Sequence, residues 1–145
     1  MPTDSKMPPR YYIEIRGDNF YPSRVPFEFT EAWDPNTQLR SLGPRKGDVL
    51  PWGEAVYAVP STAPVENRLK QLADIIYPLI PMLRLHGAES WVVWIVRYYN
   101  SQCNEEWSAA DIAALARLEC SVCYSAYEVS SSEEDEWWTS NGYRR

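Results

Sequence analysis

The run Trp91-Val-Val-Trp-Ile-Val96 is almost uninterrupted apolar sequence, and Arg97, Tyr98 and Tyr99 extend it. It is too short to cross a bilayer. Its branched and aromatic residues predict a strand at the centre of a sheet, buried on both faces. Other strands are predicted around it. Tyr11 to Arg16 alternates and is stopped by Gly17, Asp18 and Asn19. Glu54 to Val59 ends at Pro60, and a last strand runs over Glu119 to Val129.

Two helices are predicted between the strands. Ser61, Thr62, Ala63 and Pro64 open the first, with proline tolerated in its first turn. Val65, Leu69, Leu72, Ile76, Leu79 and Leu83 share one face, whereas Glu66, Arg68, Lys70 and Asp74 fall on the other side or its margins. Pro78 and Pro81 kink this helix near Tyr77, and Gly87 closes it. Ser108 with Asp111 three residues on is a capping pair for a helix from Ala109 to Arg117, with Ile112, Leu115 and Leu118 toward the sheet. Residues 20–53 carry Pro22, Pro26, Pro35, Pro44 and Pro51 and read as loop, with a short strand near Gln38 to Leu42. A helix over Ser23 to Phe29 is weakened by Pro26. The expected fold is one α+β domain over residues 11–129. It holds a four- to five-stranded antiparallel or mixed sheet with two main helices packed on it. Residues 1–10 form a lead and 130–145 an acidic, Trp-containing tail.

Twenty Asp and Glu stand against fourteen Lys and Arg, a net charge of -6. That balance argues against general nucleic-acid binding and favours a basic protein partner. The first ten residues have no apolar core of a secretory signal, so the expected location is the cytoplasm, with no membrane contact. Three cysteines, Cys103, Cys120 and Cys123, do not make a disulfide framework. Cys120 and Cys123 match C-x-x-C, but in a strand they would point to opposite faces and share no ion. His86, the single histidine, reads as a helix-end residue beside Gly87. No phosphate-loop, dinucleotide, zinc-protease or nucleophile-elbow motif occurs. No catalytic residue, metal or cofactor is therefore expected. Glu105 and Glu106, and the carboxylates from Glu133 to Glu136, read as solvated charge.

Aromatic residues make up 14%, including seven Trp and ten Tyr. Trp91, Trp94, Tyr12 and Tyr124 are assigned to the core. Trp33, Trp52, Trp107, Trp137 and Trp138 fall in predicted loops or the tail. Rigid rings beside carboxylates suit a protein-binding surface. The candidate partner-binding residues are Glu133, Glu134, Asp135 and Glu136 for charge, and Trp137 and Trp138 as anchors. Trp33, Asp34 and Trp52 come second.

Two stretches resemble a known family. The opening Ile13-Glu-Ile-Arg-Gly-Asp-Asn-Phe-Tyr-Pro22 is similar to the strand-Gly-x-x-Phe-x-Pro start of a bacterial family of small α+β domains of unknown function. The stretch from Asn104 to Glu119, followed by a strand with Tyr127 and Glu128, is similar to that family's closing segment, and the long helix sits where the family places its own. The likeness spans Tyr11 to Val129. It departs where Val25-Pro-Phe-Glu-Phe29 replaces the family's Thr-x-x-Leu-Gly helix end. The resemblance implies an accessory or immunity-type protein that binds and neutralises a cognate bacterial toxin, with no catalytic residues carried over. Toxins that act on nucleic acids carry basic clefts, to which carboxylates would be steered. Two other classes are a phage-type inhibitor of a nucleic-acid-binding defence complex and a small ligand-binding domain or enzyme. The last would use Arg97 or His86 in a pocket with converging polar groups.

Overall fold

The computed structural model describes residues 10–38, 47–60, 67–100 and 104–130. The chain begins with strand β1 (Arg10–Gly17) and a single 3-10 turn (Pro22–Arg24). Short strands β2 (Glu31–Trp33), β3 (Thr37–Gln38) and β4 (Val49–Leu50) lead into β5 (Gly53–Ala58). Helix α1 (Arg68–Ile76), a 3-10 turn (Tyr77–Leu79) and helix α2 (Ile80–Leu85) follow. Strand β6 (Ser90–Tyr99), helix α3 (Ala109–Arg117) and strand β7 (Ser121–Glu128) complete the described elements. Five strands form one mixed sheet in the order β2-β5-β1-β6-β7, while β3 and β4 pair separately. All neighbours in the large sheet are antiparallel except β6 and β7, which are parallel and joined through α3. The domain is therefore α+β. No described helix is long and apolar enough to cross a membrane.

The centre of the sheet is β1, not β6. The reason lies in alternation. Tyr11, Ile13 and Ile15 are buried, and across the strand pair they meet Ile95, Val93 and Trp91. Leu69, Leu72, Ile76, Ala114, Leu115 and Leu118 of the helical layer join the same core. The intervening residues, Tyr12, Glu14 and Arg16 on β1 and Val92 and Trp94 on β6, are only half-buried. The apolar run of β6 thus does not mark a strand buried on both faces. Helices cover one face, where Trp91 joins the core, while Trp94 and Tyr98 serve the other.

The proline break is where the spacing puts it. Pro78 and Pro81 cannot continue the α-helical hydrogen-bond ladder, and the 3-10 turn separates α1 from α2. His86 ends α2, its N–H donating to the Met82 and Leu83 carbonyls, and Gly87 follows with φ 101°. The first turn of α1 departs from the expected pattern. Asn67 precedes it in left-handed backbone, φ 61°, and its side chain makes no cap. The cap comes from another helix: Asp111 Oδ1 accepts the Lys70 N–H at 3.1 Å. Asp111 in turn donates its own N–H to Ser108 Oγ at 3.1 Å, the expected cap of α3. Arg68, expected at the polar margin, is buried with 3% exposure between these helix starts. Ile112, expected to face the sheet, is 51% exposed. The inward stripe of α3 is Asp111, Ala114, Leu115 and Leu118, with Asp111 drawn in by its cap on α1. Trp91 fastens the other end of α3, donating Nε1–H to the Leu118 carbonyl at 2.7 Å.

The opening motif has a packing explanation. Phe20 is fully buried, and Pro22 is buried at the start of the 3-10 turn. The Phe20 backbone is laid directly against Gly53, where an added Cβ would lie 1.7 Å from the Phe20 carbonyl oxygen. A Cβ at Gly87 would lie 2.0 Å from the Asn19 carbonyl oxygen. Tyr21 N–H bonds to the His86 carbonyl at 3.1 Å, sewing this loop to the end of α2. The contact at Gly53 is backbone against backbone, so little can yield. Gly53→Ala is expected to lower unfolding free energy by about 3 kcal/mol or more. Ser108→Ala, which removes one helix cap, should cost about 1 kcal/mol. Urea unfolding of both variants checks the order; equal losses would mean that the Phe20 loop is not held as described.

Candidate functional site

Two features stand out, one on each side of the sheet. The first lies on the helical side, where the beginnings of α1 and α3 meet the end of β6 and the start of β1. A cavity of about 620 Å³ opens there among Tyr11, Arg68, Arg97, Glu105, Trp107 and Asp111, with Asn67 and Asn104 also on its wall. Tyr11 Oη donates to Glu105 Oε1 at 3.1 Å. Arg97 Nη1 stands 3.3 Å from Glu105 Oε2, and the two side chains are 13% and 11% exposed. The Arg68 guanidinium lies 5.9 Å from the centre of the Tyr11 ring. Glu105 is therefore not the solvated carboxylate expected from a Glu-Glu loop. It is drawn inward by an arginine and a phenol.

Burial, and then the Glu105 carboxylate beside it, push the Tyr11 hydroxyl well above the ordinary tyrosine value. Tyr11 is thus a fixed donor. Tyr12, on the other side of the same strand, is also raised, first by burial and then by Glu14. Outside the cavity, Asp74 bridges the helices. Lys70 Nζ at 2.6 Å and Arg117 Nη2 at 2.7 Å donate to it, and these bonds hold its carboxyl below the usual carboxylate range, that of Lys70 first.

The second feature is the face of the sheet away from the helices. Register puts Glu31 and Trp33 of β2, Glu54 and Val56 of β5, Tyr12, Glu14 and Arg16 of β1, and Val92, Trp94 and Tyr98 of β6 on this side. Cys123, Ser125 and Tyr127 of β7 complete it. Among the described residues no helix lies over it. The Tyr12 and Trp94 rings stack with centroids 6.2 Å apart, and Tyr98 and Tyr127 lie 6.1 Å apart. At the β2–β5 end, Trp52 Nε1 donates to Glu54 Oε2 at 3.1 Å, and the Arg16 guanidinium sits 5.5 Å from the Trp52 ring centre. Arg16 is also paired with Glu54 at 3.3 Å and with Glu14 at 2.5 Å.

Three of the expected partner-binding residues fall in this corner. Trp33 lies on β2 rather than in a loop, opposite Glu54, the residue to which Trp52 bonds. Asp34 is nearby but engaged, accepting from the N–H and Oγ of Ser23 at 3.1 and 2.6 Å. Glu133, Glu134, Asp135, Glu136, Trp137 and Trp138 lie outside the described residues. Trp91 is in the core as expected. Tyr12 and Trp94 instead belong to the opposite face, and Tyr124 is exposed on the helical side of β7, edge-on to Trp107. Cys120 packs against the core while Cys123 faces away beside Trp94, so the two thiols do not converge. Burial pushes the Cys120 thiol up. No group of three or more His, Cys, Asp or Glu is placed to hold a metal among the described residues.

Tyr11, Arg68, Glu105, Trp107 and Asp111 were not foreseen as a cluster. The one signal that pointed there was Arg97, a cation inside an apolar strand sequence. Comparison with models of known families, with curated proteins and with solved structures gives no match for this chain. The family likeness of the opening and closing segments rests on their residues alone.

The raised Tyr11 hydroxyl has a consequence for pH dependence. An unfolded tyrosine ionises near pH ~10, whereas folded Tyr11 keeps its proton above that point. The stabilisation is complete below pH ~10 and is lost as pH rises through the folded value, because the unfolded chain releases the proton first. Urea midpoints measured on either side of pH ~10 should fall with pH in the native chain and fall less steeply in Tyr11→Phe. Parallel declines would show that Tyr11 ionises as freely when folded as when unfolded.

Proposed function

We propose that this chain is a non-enzymatic binding protein of the immunity type, which neutralises a cognate bacterial toxin in the cytoplasm by covering a basic surface of it. One observation carries the reading: the helix-free sheet face gathers Tyr12, Trp94, Tyr98 and Tyr127, and its β2–β5 end adds Trp33 and Trp52, with Glu14, Glu31 and Glu54 among the rings. Flat, rigid aromatic groups on a sheet bury much area with little loss of side-chain entropy. Glu31, exposed on β2, biases encounter toward a basic partner, in keeping with the net charge of -6, while Glu14 and Glu54 are paired with Arg16. Further support comes from the polar cavity, where Glu105 and Asp111 are engaged with Tyr11, Arg97 and a backbone N–H. Neither is arranged as a general base with a nucleophile beside it. The acidic residues Glu133 to Glu136 with Trp137 and Trp138 extend the same chemistry in sequence and belong to the proposal.

The test uses toxins encoded beside this gene, titrated calorimetrically with the full chain. Tyr98→Ala with Tyr127→Ala should weaken binding by about 2 kcal/mol or more. Glu31→Lys should act mainly on the association rate, by roughly three-fold or more at low salt. Removal of the residues after Val129 should weaken binding strongly. Wild-type affinity in the double tyrosine variant, with an unchanged circular-dichroism spectrum, would reject the sheet face as the interface.

A further inference from the structure

At the end of the helical layer away from the cavity lies a patch that the fold itself does not use. Helix α2 is short, and Pro81 and Leu85, one turn apart, lie on its outer face. Leu85 is 80% exposed, more than any other large apolar side chain among the described residues. The exposed residues Tyr77 and Pro78 extend this apolar strip along the preceding 3-10 turn. A groove of about 350 Å³ runs beside the strip, with Tyr77, Pro78 and Pro81 on one side and Arg117, Leu118 and Glu119 on the other. It has room for one leucine side chain.

Two charges flank this groove without an ion pair among the described residues. The first is Arg84, whose guanidinium lies 5.2 Å from the centre of the Trp91 ring. The second is Glu119, whose backbone is left-handed, φ 49°. Glu119 stands just past the end of α3, its N–H bonded to the Ala116 carbonyl, where helices ordinarily place glycine. A side chain is strained in that conformation, so the chain holds a carboxylate beside the groove where the local backbone alone would favour none. Arg117 is different, being bonded to Asp74.

We propose that this patch is the interface of a weak symmetric homodimer. A two-fold contact presents the same surface on both copies, so every feature must find its complement within that surface. Here the projecting Leu85 and the groove are neighbours, and the unpaired cation and the unpaired anion line the same groove. Each Leu85 enters the groove of the other copy, and each Arg84 meets the other copy's Glu119. A chain of net charge -6 repels its own copies, and Arg84 and Arg117 lower that repulsion at this face. The same arginines disfavour the basic partner that the ring-bearing face suits. The patch is on the helical side of the sheet and stands independently of the proposed toxin surface.

The experiment is sedimentation equilibrium of the full chain from about 10 μM to about 1 mM, a range that brackets small interfaces of this kind. The average mass should rise with concentration from that of the monomer toward twice that value. Leu85→Glu, at a position too exposed to bear on folding, should weaken association about ten-fold or more. Arg84→Glu and Glu119→Arg should each weaken it about ten-fold, because the pair occurs twice in a symmetric dimer. The two changes together restore the pair with its charges exchanged, and association should return to within about three-fold of the native value. Tyr98→Ala with Tyr127→Ala, which alters only the other face, should leave it unchanged. The proposal is overturned if the chain stays monomeric at the highest concentration, which would assign the patch to a foreign partner. It is also overturned if Leu85→Glu associates as the native chain does, if the exchanged pair is no better than either single change, or if the double tyrosine variant loses association.

Discussion

The alternation along β1 divides this molecule. Tyr11, Ile13 and Ile15 go to the helices, while Tyr12, Glu14 and Arg16 go to the other side. Because the strand is central, its register fixes both neighbours, and a slip of one residue would exchange the two sets. Among the described residues, helices pack on one face alone. The opposite face must be made tolerable to water by other means. It carries rings with polar edges, and it has a lane of paired charges in which Arg16 serves both Glu14 and Glu54. An apolar strand in such a sheet, β6, acquires tryptophan and tyrosine where a sheet covered on both faces would carry valine and isoleucine.

On the helical side the organising contact is between helix starts. Asp111 is the first-turn acid of α3 and also the cap of α1, so neither helix can be positioned without the other. Ordinary caps are local and leave the helices free to choose their packing. Here the cap is tertiary, and it holds α1 and α3 with their positive ends side by side, an arrangement that raises the local potential. Arg68 at that spot makes the potential higher still. Glu105, Glu106 and Asp111, the carboxylates on the same wall, offset it. The cavity is thus a consequence of how the two helices are locked together.

What the amino-acid sequence discloses follows the range of the interactions. Ser108 with Asp111, the break at Pro78 and Pro81 and the end at Gly87 are contacts within a few residues, and each is visible as a pattern of residue types. The α+β class follows from the same local patterns taken in order. The position of β1 at the centre was hidden, since strand order depends on which pairs form across the whole chain. Arg68 looked peripheral because its burial comes from Asp111 and Tyr11, far away in sequence. Ile112 looked internal because a helical stripe has width, and the buried stripe of α3 runs through Asp111, Ala114, Leu115 and Leu118, which leaves Ile112 outside. Glu105 looked solvated because its partners, Tyr11 and Arg97, come from two different strands.

The two candidate surfaces share their strands. Tyr11 lines the cavity and Tyr12 belongs to the ring-bearing face. Arg97 and Tyr98 are divided in the same way. Adjacent residues of one strand thus serve opposite sides with one backbone between them. That backbone belongs to β1 and β6, which are bonded on both edges and cannot shift without breaking two ladders at once. Coupling between sites requires an element with two arrangements that each ligand favours differently. Bonded strands at the middle of a sheet supply none. The geometry therefore separates the two surfaces energetically while joining them covalently, so that a change confined to the cavity wall is not passed to the ring-bearing face.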